Sequence, residues 1–266
     1  MEIIQIIGFA CALLIGVVLG LIGGGGSILT VPILVYLFYL NPVTATAYSL
    51  FVVGFTALGG TIRSIQKNQV DFRTGIVFAI PSLIAVYFTR KILIPVIPDT
   101  IVSIGEFILT KDLVIMIFFS LIMLLSAYYM IRRGGLGFEK NLFMKYQYLS
   151  LIIQGAIVGL LTGIVGAGGG FLIIPALVLW TGLPMKKAIG TSLMIIAIKS
   201  LIGFIGDVEN MGIDWGFLLI FTGISFVGIF IGIYLSHFIE GYKLKKAFGW
   251  FVLLMSVYIL FKEVFL

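Results

Sequence analysis

The stretch GLIGGGGSILTVP, residues 20–32, sets four consecutive glycines inside an otherwise unbroken apolar run, and GIVGAGGGFLIIP, residues 163–175, repeats the arrangement 143 positions later. Glycine costs a helix interior roughly 0.5–1 kcal/mol relative to alanine, so a run of glycines ends a helix. The apolar pieces after them, 28–40 and 171–181, would reach at most about 20 Å as helices, against roughly 30 Å of hydrocarbon in a bilayer. Each stretch therefore reads as a break followed by a half-helix.

The surrounding sequence makes the bilayer the relevant solvent. Hydrophobic residues are 61% of the chain and charged residues 11%, against roughly 25% charged in soluble domains. Apolar segments lie near 3–22, 43–62, 72–94, 112–131, 148–165, 187–205, 215–238 and 247–265, which predicts eight spanning helices. Their lack of period-2 alternation excludes a transmembrane barrel, so the expected fold is an all-α membrane bundle. Met1–Glu2 offers no basic leader, and the first segment is expected to remain as an anchor. The lone Cys11 lies in that segment and leaves no disulfide or cysteine metal site. The net charge of +6 is distributed in short clusters between apolar runs. That is a topology signal and not a nucleic-acid surface.

Sliding the chain against itself by 143 residues aligns Gly16, Gly20, Gly23, Pro32, Ser49, Gly60 and Asp71 with Gly159, Gly163, Gly166, Pro175, Ser192, Gly203 and Asp214. The Pro, Ser and Asp pairs keep one register, apart from a compensated one-residue shift near Pro42 and Pro184, which implies duplication. Two repeats result, 1–131 and 148–266, joined by a cytoplasmic linker over 132–147. Each holds four spanning helices and one half-helix. Five segments per repeat would send the second repeat through the membrane upside down. Loop charge agrees. Residues 63–73 carry three basic side chains where 206–216 carry none and three acids, and 41–45 is uncharged where 181–187 ends in Lys186 and Lys187. Both termini are then expected outside. The 90–112 loop, with Arg90, Lys91 and Lys111 against Asp99, Glu106 and Asp112, votes for neither side.

Paired breaks of this kind predict a binding site. Unwound backbone at membrane depth is tolerated where it is buried in protein or lines a cavity, and a cavity is expected here. The N-termini of the two half-helices would direct free N–H groups and positive dipole ends at it, favouring an anion. The candidate residues are Gly23, Gly24, Gly25, Gly26 and Ser27 in the first break, and Gly166, Gly168, Gly169 and Gly170 in the second. Gly16/Gly20 and Gly159/Gly163 have the small-xxx-small spacing of helix packing instead. In the next helix of each half, Ser49, Thr56, Gly60 and Arg63 share one face, as do Ser192, Lys199, Gly203 and Gly206. Lys199 is near mid-span, at the register position of Thr56, where a charge is expensive enough to suggest function. Pairing with a carboxylate or snorkelling along its stem are the competing readings. Arg63, Lys67 and Arg73 read as topology charges.

GLIGGGGSILTVPILV with ATAYSLFVVGFTAL, and GLLTGIVGAGGGFLIIPALV with AIGTSLMIIAIKSLIG, resemble the duplicated signature of the sulfite exporter TauE/SafE family, the toluenesulfonate uptake permeases. The resemblance covers nearly the whole chain. It implies secondary transport of small sulfur-containing anions, such as sulfite or sulfonates, across the cytoplasmic membrane with proton or sodium coupling. The T-S-L element adds Thr191 to the candidate site. The family leads one to expect a small polar residue such as Asn where Lys199 stands, so the role of Lys199 rests on its position in the membrane alone.

No Walker pattern, H-E-x-x-H or G-x-S-x-G elbow is present, the single His237 falls at a helix end, and no cofactor is implied, so an enzyme is disfavoured. A passive anion channel and, more remotely, a non-transporting assembly factor are the alternatives. The oligomeric state is not readable. For the inverted arrangement, single cysteines at Asn141 and Asn210, introduced after Cys11 is replaced, are expected to react with an impermeant thiol reagent from opposite faces. Equal labelling from outside would overturn it.

Overall fold

Aspartate and proline set where the helices begin. Asp71 and Asp214, one pair in the 143-residue register, are both N-caps: their carboxylates accept from Thr74 N–H at 3.0 Å and from Phe217 N–H at 3.1 Å. Asn41 caps the helix that opens with Pro42 in the same manner, accepting from Val43 N–H at 2.9 Å. The computed structural model describes residues 3–24, 26–104, 107–131, 147–165, 169–208, 211–236 and 238–265. Gly25, Gly166, Gly168, Asn141, Asn210 and His237 lie outside the described residues.

In chain order the elements are α1 (Ile3–Ile22), α2 (Ser27–Tyr36), α3 (Pro42–Gln66), α4 (Phe72–Val96), β1 (Thr100–Ile104), β2 (Phe107–Thr110), α5 (Lys111–Ile131), α6 (Gln147–Val165), α7 (Gly170–Thr181), α8 (Met185–Val208), α9 (Trp215–Leu235) and α10 (Gly241–Phe265). The half-helices α2 and α7 have 10 and 12 residues, about 15 and 18 Å. Among the described residues, five helices are long and apolar enough to cross a membrane, while Ile6–Ile22 and Leu149–Val165 are apolar but shorter. On α4, Ile76, Ile80, Ile84 and Phe88 form an i, i+4 row of half-exposed apolar side chains, the face that meets lipid. The chain is a multi-pass helical membrane protein.

The 90–112 region departs from its reading as a loop. Helix α4 continues through Arg90 to Val96, with Thr89–Leu93 in a π-helical turn. An antiparallel hairpin comes next, pairing Thr100 with Thr110 and Ile104 with Phe107. The sequences TIVSI and FILT are rich in β-branched and apolar residues, so an outer loop of a helical bundle acquires two short strands. At the other end of the bundle's charge pattern, Asp207 is helical and buried rather than a loop acid.

Helix pairing survives an exchange of the two halves. Helix α1 packs on α9 as α6 packs on α4; α3 meets α9 as α8 meets α4; α2 lies against α3 as α7 lies against α8; and α3 with α8, α5 with α10 and α2 with α7 pair across the exchange. Two of these contacts depend on missing side chains. A Cβ on Gly16 would overlap the Ser225 carbonyl, and one on Gly232 the Val17 carbonyl, so α1 and α9 touch backbone to backbone. Gly159 stands against the Ser82 carbonyl in the equivalent α6–α4 contact. Close approach of this kind maximises dispersion contacts where lipid supplies no hydrophobic drive between helices.

Thermal unfolding in detergent tests this packing. Gly20→Val, whose side chain would meet the Ile229 carbonyl, is expected to destabilise the protein by about 1–3 kcal/mol. Gly223→Val, facing open space on the same partner helix, should leave the midpoint unchanged.

Candidate functional site at the helix breaks

Helices α3 and α8 are the centre of the bundle: 78% and 72% of their most apolar windows are buried, against 33–39% for α4, α5 and α9. The stripes of small and polar residues therefore face protein. Ser49, Thr56 and Gly60 on α3 and Ser192, Lys199 and Gly203 on α8 are buried, whereas Arg63 is exposed and bonds Gln66 one turn along, as a topology charge would.

The two breaks meet. Gly23 and Gly169 take left-handed backbone with φ of +77° and +67°, turning the chain sharply out of α1 and into α7. Between them Gly24 and Gly170 touch: a Cβ on Gly24 would sit 2.5 Å from the Cα of Gly170. At Gly24 and Gly170 backbone lies against backbone, so irregular chain there is buried in protein, one of the two ways in which it is tolerated at membrane depth. Gly26 packs on α1 beside Ile15 and Leu19 and directly precedes Ser27, the first residue of α2.

Ser192 ties α8 to the first break. Its hydroxyl is shared between Gly23 O at 2.6 Å and Ile189 O at 2.8 Å, so the carbonyl freed by the turn at Gly23 is satisfied from the other half. Lys199 reaches the second break. Its Nζ is 3.0 Å from Thr162 Oγ1, to which it donates, and the residue is 1% exposed. A Cβ on Gly169 would come within 2.7 Å of that Nζ. Among the described residues no carboxylate forms an ion pair with Lys199, and the buried ammonium does not snorkel. Thr162 gives its own hydrogen to Gly159 O at 3.2 Å and so is free to accept. Ser49 Oγ and Thr56 Oγ1 are fully buried and have no hydrogen-bond partner among the described residues.

Thr191 makes a different contact. Its Oγ1 accepts from Asp71 N–H at 2.9 Å, on the side of α8 that faces the start of α4. Tyr48, its register counterpart, does the same in the other half, where its hydroxyl oxygen stands 2.6 Å from Asp214 N–H. The pair anchors the two capped helix starts, a structural duty that the T-S-L signature alone does not distinguish from binding.

The sequence reading missed a buried ion pair. Arg90 on α4 is 0% exposed and Asp207 on α8 is 4% exposed; Arg90 Nη1 is 3.5 Å from Asp207 Oδ2 and donates to Thr46 Oγ1 at 3.0 Å. The available signal was that the apolar run 72–94 already contained Arg90, opposite an acid at the end of another apolar run. Among the described residues no cluster of three or more metal-binding side chains occurs.

Ser192→Ala is expected to lower stability by about 1–2 kcal/mol, because the Gly23 carbonyl loses its donor. Thr56→Val, which removes a hydroxyl that has no partner among the described residues, should leave stability equal or higher; chemical or thermal unfolding of both variants checks the contrast.

The family model described as "Sulfite exporter TauE/SafE" matches residues 8–259. A "Probable membrane transporter protein" of Xylella fastidiosa (strain 9a5c) is 29% identical over 257 residues, covering 94% of this chain and 92% of the relative. "Probable membrane transporter protein YunE" of Bacillus subtilis (strain 168) is 30% identical over 227 residues, 78% of this chain and 79% of the relative. "Probable membrane transporter protein MJ0441" of Methanocaldococcus jannaschii is 38% identical over 114 residues, 41% and 43% of the two chains. No solved structure matches the chain at a significant level.

Proposed function

Because the chain belongs to the sulfite exporter TauE/SafE family, we propose that it is a secondary-active carrier of small sulfur oxyanions, sulfite or sulfonates, working by alternating access around the junction of its two glycine breaks. The observation that carries this reading is Lys199: a mid-membrane ammonium, buried at 1% exposure, held by one neutral hydroxyl beside Gly169 and with no ion-pair partner among the described residues. A buried charge without a counter-ion is costly. An anionic substrate would supply the counter-charge, and the N-terminus of α7, which opens at Gly170, would add its dipole.

The exchangeable helix pairing and the opposed loop charges support two inverted repeats, 1–131 and 148–266, in the cytoplasmic membrane with both termini outside. Rocking of one repeat against the other about the Gly24–Gly170 contact would then expose Lys199 to each side in turn. The contact of Gly24 with Gly170 supports a carrier, in which that contact must open, over a passive channel. The coupling ion is a proton or sodium, and no cofactor or catalytic residue is invoked.

Lys199→Met keeps much of the stem and removes the charge. It is expected to weaken sulfite binding by on the order of 2 kcal/mol, about thirtyfold in the dissociation constant, with thermal stability unchanged or raised. Unchanged affinity would remove Lys199 from the site, and a folding defect with normal affinity in the folded fraction would make it structural. In proteoliposomes, labelled sulfite should accumulate against its gradient under an imposed proton or sodium gradient; equilibration without accumulation would mark a channel.

A further inference from the structure

Among the described residues Arg90 is the largest fully buried side chain, and it sits in the π-helical turn Thr89–Leu93. A π turn inserts a residue and rotates the next turns of the helix about its axis; such turns recur at functional sites. Here the guanidinium is turned into the contact of α3, α4 and α8. Gly206 lets α8 come close, since a Cβ there would lie 3.2 Å from Arg90 Cβ. Thr46 gives its hydrogen to Val43 O at 2.7 Å, leaving its oxygen to accept from Arg90 Nη1.

That single nitrogen makes both of these polar contacts, to Thr46 and to Asp207. Nε and Nη2 have no hydrogen-bond partner among the described residues, although the side chain is 0% exposed. These two N–H groups form one edge of the guanidinium and point the same way, the fork that takes two oxygens of a carboxylate, sulfonate or phosphate. An ion pair built for stability would turn this edge to Asp207. Instead Asp207 meets only Nη1, at 3.5 Å, longer than a good charge-assisted hydrogen bond. Two buried donors left unmet are costly unless a ligand takes them.

We propose that Arg90 is an oxyanion-binding residue of the translocation path: its Nε–H and Nη2–H receive two oxygens of a sulfite or sulfonate group, while Thr46 and Asp207 hold Nη1 and Asp207 neutralises the guanidinium when no anion is bound. The site rests on the carrier reading but is distinct from Lys199, which lies eight residues before Asp207 on α8, about 12 Å along the axis. Substrate passing along the α3–α8 face would meet the two cations in sequence. The chemistry recognised is a small oxyanion with two oxygens on one face.

Calorimetric binding of sodium sulfite and of methanesulfonate to the purified chain tests the assignment. Arg90→Lys keeps the charge but loses the fork. The double variant Arg90→Met/Asp207→Asn removes both charges together, so no uncompensated ion is left buried. Each is expected to remain folded and to raise the dissociation constants at least tenfold. Asp207→Asn alone, freeing the guanidinium of its internal counter-charge, is expected to tighten both anions severalfold. Normal affinity in the double variant, or failure of both Arg90 variants to fold, would overturn the proposal and assign the pair to structure. With Lys199→Met still weakening sulfite in parallel, that result would leave the carrier reading standing. A wild-type chain that binds neither anion would overturn both.

Discussion

Inside a bilayer every backbone N–H and carbonyl needs a partner within the protein, and a chain that interrupts its helices twice must bury both interruptions. This protein does so by setting one against the other. Gly24 and Gly170 are in contact because neither carries a Cβ, and Ser192, on the central helix of one half, satisfies the carbonyl that the turn at Gly23 frees in the other. The central position of α8 is a consequence, since it brings Ser192 to the first break and Lys199 to the second. The outer helices α4, α5 and α9 then carry the apolar surface toward lipid.

Once the breaks are fixed, charge inside the bundle becomes the scarce quantity. Lys199 and the Arg90–Asp207 pair are all nearly free of solvent, yet they are handled differently. Arg90 has an internal counter-ion on a neighbouring helix, while Lys199 has a neutral hydroxyl and a glycine turn. Arg90 has no basic counterpart in the register, where position 233 is Ile, and Lys199 corresponds to Thr56. The cations thus break the correspondence that the rest of the register keeps.

Much of this architecture was legible in the sequence because duplicated features have duplicated physical duties. The Asp71/Asp214 register pair turned out to be two N-caps, and the glycine spacings at 16/20 and 159/163 turned out to be close helix contacts, with Gly16, Gly20 and Gly159 against backbone and Gly163 against the Thr89 side chain. Lys199 was legible because an ammonium at mid-span stands out against apolar neighbours. Long-range pairing stayed hidden. Asp207 sits just past the end of an apolar run, where charge is ordinary, and Arg90, though inside one, has its partner on a helix distant in sequence; their burial and pairing show that both face inward. The contact of Thr191 was hidden in the same way. This residue adjoins Ser192 in sequence, but helical periodicity turns it about 100° away, to the start of α4.

If an anion completes the charge of Lys199 at the second break, it must be found there when supplied. A crystal structure of the purified chain soaked with selenite, an anomalously scattering analogue of sulfite, addresses this directly. A selenium peak is expected within about 4 Å of Lys199 Nζ, beside Gly169. Selenium bound only away from both breaks, with Lys199 Nζ still on Thr162, would contradict it.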